Sequence, residues 1–574
     1  MVALTEKTNK RLTMQIVDIA SDTTAIRSLD WDRDRFDIEF GLQNGTTYNS
    51  FLIRGEHTAL VDTSHEKFRQ LFLDTLKGLV NPADISYLII SHTEPDHSGL
   101  VKDVLQLAPE ITVVGSKVAI QFLENLVHQP FKRQIVKNGD RLDLGNGHEL
   151  EFVIAPNLHW PDTIFTFDHK TQTLFTCDAF GLHYCSDSTY DEDLKAIEAD
   201  FEYYYECLMA PNARSVLSAL KRMAELEKIS LVATGHGPLL YHNVEELTGR
   251  YRNWSQTQTK AETTVGVFYT SDYGYSYRLA QAIALGITKT GVAVELIDLR
   301  AVSDLVELRE LVSRCGGIVV GMSPASDATQ IQGALSTILG SVNEKQAVGI
   351  FESGGGDDEP IDPLLSKFRN LGLTTAFPAI RIKQTPTENT YKLCEEAGTD
   401  LGQWVTRDRS IKQMKSLGAD LDKALGRISG GLYIITAKKG DVSSAMLASW
   451  VSQASFKPIG ITIAVAKDRA IESLMQVGDK FVLNVLEEDN YQRLMKHFLK
   501  RFAPGADRFE GVKTQSAENG APILTEALAY MECEVVSRMD GGDHWIVYST
   551  VYAGRVSKTE ALTAVHHRKV GNHY

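Results

Sequence analysis

Seven metal-capable side chains in the first half of the chain stand close behind short apolar runs, and this placement restricts the fold more than any other feature. Ser91-His92-Thr93-Glu94-Pro95-Asp96-His97 follows Tyr87-Leu88-Ile89-Ile90, and His159 comes after Phe152-Val153-Ile154. Asp178 follows Leu174-Phe175-Thr176-Cys177, and His236 follows Leu231-Val232-Ala233-Thr234. Short apolar runs of this kind read as buried strands. Groups just past strand ends converge on one rim of a sheet, where concave sites form. Four histidines and three carboxylates on one rim suffice for two metal ions, so an enzyme with a dinuclear centre is expected.

Within the first motif, His-x-Glu-x-Asp-His places four candidate ligands within six residues, which a loop can fold around a pair of ions. The expected partition gives one metal His92, Glu94 and His159, and the other Asp96, His97 and His236, with the two oxygens of Asp178 bridging them. Each metal then has four protein ligands and room for an exogenous one, as catalysis needs. Imidazoles suit zinc or iron, and each carboxylate makes the site harder. Glu94 stands where dizinc hydrolases of this type commonly carry histidine, which favours iron. Gly235 and Gly237 flank His236 and permit a tight loop. His128, His169, His183 and His242 lie outside the pattern and are read as structural or exposed.

A chain of 574 residues needs several cores, three or four at ~150 residues each. The net charge of -15 argues against a nucleic-acid partner. No run approaches the ~20 apolar residues of a membrane span, and Met1 to Arg11 lacks the apolar core of a signal peptide, so a cytoplasmic protein with no integral membrane segment is expected. Six cysteines without a C-x-x-C pair fit reduced thiols and exclude an appended rubredoxin-like or zinc-ribbon module.

Residues 37 to about 239 alternate apolar runs with helical stretches such as Phe68 to Leu79, which predicts an α/β sandwich. The polar stretch His242 to Glu262 reads as a helix closing that domain. From Thr264 the pattern changes: strands are expected at 265–269, 292–297, 317–321 and 347–351, with Leu279, Ile283 and Ile287 on a helix that Gly291 stops. Strand-helix alternation with short loops implies a doubly wound parallel sheet. Its first loop, Thr270-Ser271-Asp272-Tyr273-Gly274-Tyr275-Ser276, offers hydroxyls, backbone N–H groups and a helix N-terminus to a phosphate. Ser323-Pro324-Ala325-Ser326 and Ser353-Gly354-Gly355-Gly356-Asp357-Asp358 follow later strands and are placed to flank an isoalloxazine ring, although neither contains an aromatic residue. Arg407 to Lys415 reads as a linker, and the β-rich remainder suggests a small barrel. The expected domains span 30–258, 263–402 and 422–574.

The order His-x-Glu-x-Asp-His, Leu-His-Trp-Pro-Asp-Thr (158–163), Cys-Asp-Ala-Phe-Gly (177–181), Gly-His-Gly-Pro resembles the metallo-β-lactamase-like domain of flavodiiron proteins, with all seven ligand positions filled by the expected types. Ala448-Ser449-Trp450-Val451-Ser452, Phe456-Lys457-Pro458, 481–486 and Gly541-Gly542-Asp543-His544 resemble the flavin reductase-like split barrel. The three modules in this order are similar to the flavodiiron type of cyanobacteria and other oxygenic phototrophs. The resemblance implies an α/β multidomain chain: a metallo-β-lactamase-like αββα sandwich, a flavodoxin-like doubly wound parallel sheet and a flavin reductase-like split β-barrel. It implies two Fe bridged by Asp178, FMN, and a second flavin (FMN or FAD) in the barrel, where Ser449, Ser452, Asn484 and His544 are the expected contacts.

The activity so implied is reduction of O2 to water, with electrons from NAD(P)H passed through FMN, as a sink protecting photosynthesis. Reduced ferredoxin is the alternative donor and NO the alternative acceptor. A dizinc hydrolase fused to flavin domains and a non-catalytic flavin-binding subunit are the other readings. In this family the flavin of one subunit faces the metals of its partner, so a head-to-tail homodimer or a hetero-oligomer with a paralogue is expected.

Overall fold

Apolar strands separated by polar turns bury themselves most cheaply as two stacked sheets, and the first part of the chain does this. The computed structural model describes the chain apart from residues 1–10, 37–39, 262, 271–274, 301, 303, 323–327, 354–361, 383–384, 407–423, 501, 503–506 and 568–574. It divides into two compact units, Met1–Lys260 and Ala261–Tyr574.

In the first unit a seven-stranded sheet runs in the order Leu12–Ala20, Thr23–Asp30, Thr46–Arg54, Thr58–Val61, Ile85–Ile89, Thr112–Gly115, Lys132–Ile135. A five-stranded sheet follows in chain order: Arg141–Gly145, His148–Ile154, Ile164–Asp168, Thr173–Cys177, Leu231–Thr234. Phe51, Ile53, Val61 and Val114 of one sheet meet Phe152, Ile164, Phe175 and Ala233 of the other. Helices Arg69–Leu79 and Lys117–Val127 cover the outer face of the larger sheet through Phe72, Leu76, Ile120 and Leu123. The unit begins earlier than the expected residue 30, because Leu12–Ala20 and Thr23–Asp30 belong to its sheet. Sequence pattern hides the second of these strands: all its residues are buried, yet Thr23, Thr24, Arg27, Ser28 and Asp30 are polar.

The second unit carries a parallel sheet ordered Ala293–Asp298, Thr264–Tyr269, Gly317–Met322, Ala347–Ser353, Thr374–Thr375, with Ile380–Ile382 also on Ala347–Ser353. The central exchange of the first two strands is the doubly wound order that opens a crevice at the carboxyl ends. Helix Tyr275–Thr288 follows the first strand, and Gly291 ends its turn at φ +73, a region open to glycine. The barrel sheet is antiparallel, ordered Val442–Ala448, Tyr433–Lys439, Lys480–Val485, Ala529–Asp540, His544–Val556, Ile459–Ala466, Val451–Phe456. Ile435, Met446, Ile463, Phe481, Leu483 and Val547 fill it.

Helix Glu388–Val405 joins the two folds of this unit. On one side it lies so close to Tyr275–Thr288 that a Cβ on Gly286 would sit 1.9 Å from Glu395 O, and one on Gly398 2.0 Å from Ile283 O. On the other side buried charges meet the barrel. Lys289 and Arg538 both pair with Glu472, and Lys289 also with Glu395. Arg508 takes both Asp400 oxygens at 2.7 and 2.9 Å, and Lys392 lies 3.3 Å from Asp479.

Burial pushes the Glu472 carboxyl up, but Lys289 and Arg538 outweigh it and bring it down to about 2. Its stabilisation is therefore complete above the unfolded value of 4.5 and is lost as pH falls towards about 2. Glu472→Gln leaves the buried Arg538 without its ion-pair partner and Lys289 with Glu395 alone, and should lower the unfolding free energy at pH 7 by ~3 kcal/mol. Denaturant titration of the second unit's unfolding checks this, and the gap to wild type should shrink as the pH is lowered. Equal midpoints at pH 7 would contradict it.

Candidate metal centre

The seven residues come from four strand ends of the first unit. Strand Ile85–Ile89 leads into Ser91 and His92; Pro95 then opens the short helix Pro95–Ser98, whose fixed φ starts a turn that returns Asp96 and His97 to the rim. His159 precedes strand Ile164–Asp168, Asp178 follows Thr173–Cys177, and His236 follows Leu231–Thr234. Six of the seven are buried, and Asp96 reaches solvent with 19% of its side chain.

Asp178 divides the cluster. Its Oδ2 lies 2.8 Å from His159 Nε2 and 3.4 Å from His92 Nε2, and Glu94 Oε2 stands 2.9 Å from His159 Nε2 and 3.3 Å from His92 Nε2. Its Oδ1 lies 2.9 Å from His97 Nε2 and 3.3 Å from His236 Nε2, with Asp96 3.4 Å from His236 Nε2. The structure thus groups His92, Glu94 and His159 on one oxygen, and Asp96, His97 and His236 on the other, each set with its donor atoms within 4.8 Å.

The donor set fits two cations. His97 Nε2 and His236 Nε2 face each other at 3.1 Å. Asp178 Oδ1 and Asp96 Oδ1 are buried and make no hydrogen bond of proper geometry among the described residues. Carboxylates gathered in a buried site are costly unless positive charge, from protonated imidazole or a metal cation, satisfies them. Three carboxylates and four imidazoles suit iron better than a soft thiolate set suits it.

Charges within the cluster are strongly coupled. Burial would raise the Asp178 carboxyl, but His92 and His97 hold it well below the usual carboxylate range. Glu94 is likewise raised by burial and lowered further by His159. Burial lowers the His97 ring, and Asp96 and Asp178 bring it up to about 10. Asp178 and Glu94 thus favour the ionised form and His97 the protonated one, so a metal must displace protons to bind.

A surrounding layer orients the ligands. His236 Nδ1 donates to Thr47 O at 2.7 Å, and His92 Nδ1 faces Cys177 Sγ at 3.1 Å. Asp62 accepts from Ser91 N at 2.7 Å, while Asp162 accepts from Thr93 N at 2.9 Å and Thr93 Oγ1 at 2.7 Å. Asn49 donates to Thr234 O and Gly237 O at 2.9 and 3.0 Å, holding the His236 loop. Sequence reasoning missed Asp62, although it closes Thr58–Val61 as the ligands close theirs. Asn49 and Thr47 lie within a strand and carry no such signal. His183 is buried, bonds Thr46 Oγ1 at 2.7 Å and packs its ring 4.6 Å from His236, as a structural residue. His128 ends helix Lys117–Val127, and His169 bonds Glu151 at 2.9 Å.

For the flavin residues the outcome is mixed. Thr270 and Ser276 are buried and Tyr275 is exposed; Ser353 ends strand Ala347–Ser353. Ser271, Asp272, Tyr273, Gly274, Ser323, Pro324, Ala325, Gly354, Gly355 and Gly356 lie outside the described residues. In the barrel, Ser449 is buried and Ser452 is exposed, its hydroxyl on Gln453 O at 3.3 Å. His544 bonds Asp543 at 2.7 Å and lies 5.0 Å from the Trp450 ring, so the segments of Ser449 and His544 meet. Asn484, expected at a ring edge, is engaged by the strands around it. Its amide donates to Ile434 O and Thr436 Oγ1, both at 3.2 Å, and accepts from Leu524 N at 2.8 Å. It is fully buried, because a strand-interior polar side chain must be satisfied by its neighbours.

A family profile described as ODP family beta lactamase matches residues 46–237, and one described as flavin reductase like domain matches residues 425–572. The metal-soaked flavodiiron core from Synechocystis sp. PCC6803 superposes with a TM-score of 0.65 at 39% identity, covering 69% of this chain and 99% of that one. Fold and site together define the class, a flavodiiron-type oxidoreductase with an appended flavin reductase-like domain. Diflavin flavoprotein A 3 of Nostoc sp. (strain PCC 7120) is 86% identical over the whole of both chains, and diflavin flavoprotein A 1 of Synechocystis sp. is 67% identical over 98% of each. The chain belongs to this diflavin flavoprotein A family, which implies a diiron centre and flavins. Among the described residues no helix is long and apolar enough to cross a membrane.

Loading Fe2+ into metal-free protein should release protons, read with a pH indicator in weak buffer, and affinity should fall as pH is lowered. Asp178→Ala should lose both metals on elemental analysis, whereas Glu94→Ala should retain the one held by Asp96, His97 and His236.

Proposed function

We propose that this chain reduces O2 to water at a non-haem diiron centre, with electrons from NADH or NADPH delivered through flavin. The observation that carries the reading is the division of two ligand sets by the two oxygens of Asp178. His92, Glu94 and His159 would hold one iron, and Asp96, His97 and His236 the other. Bound as Fe2+, the pair supplies two electrons and open coordination positions, and reduced FMN supplies two more, matching the four that O2 requires.

The chain's own residues do the rest. Asp178 sets the spacing of the pair, and the buried rings of Trp160, His183 and Tyr204 exclude bulk water from the site. Asp96 is the ligand most open to solvent. Thr270 to Ser276 and the loops at 323–326 and 353–358 would hold FMN at the carboxyl ends of the parallel strands. Ser449, Ser452 and His544 would contact a second flavin and the nicotinamide. The chain acts in the cytoplasm as an electron sink, in keeping with relatives from cyanobacteria, and as a head-to-tail dimer or with a paralogue. Ferredoxin is the alternative donor.

The test is metal and flavin content of the purified protein, followed by NAD(P)H-driven O2 uptake. Iron at two per chain and two NAD(P)H consumed per O2 without peroxide are expected, with NO a poorer acceptor under the same conditions. Asp178→Ala should lower uptake beyond the ~100-fold typical of losses in the surrounding layer. Zinc in place of iron with no O2 uptake, or peroxide as the product, would overturn the proposal.

A further inference from the structure

We infer that the thiol of Cys177 is a positioning group for the metal ligand His92, fixing its ring and the place of its proton. The inference rests on the metal centre proposed above and concerns how one of its ligands is held.

Successive side chains of a regular strand point to opposite faces. Cys177 and Asp178 are consecutive, yet both reach the same site: Cys177 Sγ lies with donor atoms of His92, His97 and Asp178 within a 4.8 Å cluster. Two backbone features make this possible. Pairing with Leu231–Thr234 shifts register between Phe175 and Cys177, and Cys177 adopts φ +51, a left-handed conformation uncommon for a residue with a side chain. Gly235 completes the arrangement. Its N–H donates to Cys177 O at 2.6 Å, and a Cβ there would meet His97 Cε1 at 2.8 Å and the Cys177 carbonyl carbon at 3.0 Å. An uncommon backbone conformation held in place at a site is a reason to look for what its side chain does.

Cys177 Sγ stands 3.1 Å from His92 Nδ1. His92 Nε2 faces Glu94 and Asp178; a metal held with those carboxylates would take the Nε2 lone pair, leaving Nδ1 to carry the N–H that the sulfur accepts. Metal-bound histidines need such an acceptor on the second nitrogen, and carboxylate or carbonyl is the usual choice. His236 follows that rule through Thr47 O at 2.7 Å. His92 instead has a weak, neutral acceptor, which orients the ring without adding charge. His92 and His236 are thereby held differently, His92 by the softer acceptor.

The experiment uses the metal-free full-length chain and Co2+ alone, under anaerobic conditions. Wild type should bind two Co2+ with ligand-field bands and without a near-ultraviolet sulfur-to-cobalt band, since the thiol is not itself a ligand. Cys177→Ala should weaken one of the two by roughly 10–100-fold and leave the other within a few-fold. Cys177→Ser, which keeps an acceptor, should recover most of the loss. In Co2+-loaded wild type the shifted Nδ1–H proton of His92 should exchange slowly with D2O, a readout needing no variant. A sulfur-to-cobalt band in wild type, two unweakened Co2+ in Cys177→Ala, equal loss in the Ala and Ser variants, or fast Nδ1–H exchange would each overturn the inference. Failure of wild type to bind Co2+ at all would instead overturn the metal centre.

Discussion

The site depends on one carboxylate. Asp178 places its two oxygens in two different sets of imidazoles, and no other residue of the cluster reaches both with separate atoms. Such a group is costly to bury: desolvation drives the carboxyl towards its neutral form, and only the surrounding histidines keep it ionised. The same electrostatics make the centre self-consistent. The buried carboxylates need positive charge, which the protonated His97 supplies in part and a pair of cations would supply in its place. The layer behind the ligands, from Asp62, Asp162, Asn49 and Thr47, fixes the segments that carry them.

The second unit solves a different problem, that of keeping two unlike folds together. Helix Glu388–Val405 approaches its neighbour through glycines and meets the barrel through buried ion pairs, and neither contact tolerates much adjustment. Buried pairs are poor sources of net stability compared with apolar packing, yet removing one partner is severe. An interface built this way specifies one arrangement in preference to others. Glycine packing and paired charges together make the parallel sheet and the antiparallel barrel behave as a single compact unit.

Much of the candidate centre was legible in the primary structure because ligands of this kind sit at strand ends, and strand ends are marked by where an apolar run stops. The same rule located the four strands of the doubly wound sheet and the helix ended by Gly291. It failed where burial and polarity part company. Thr23–Asp30 is wholly buried but reads as polar, because tertiary hydrogen bonds such as that of Arg27 to Ser188 O engage its polar side chains. Asn484 is the opposite case: a polar residue in an apolar strand suggests a function, and in the fold it bonds the strands beside it.

Sequence alone determined which residues are candidate donors, the alternation of strand and helix, and the order of the modules, since each is written in residue type and period along the chain. Only the folded chain decided which oxygen of Asp178 serves which histidines, that Cys177 turns to the same side as its neighbour, and that Glu472 gathers cations from two folds. These are relations between side chains far apart in sequence, set by register, backbone sign and packing, and no local pattern encodes them.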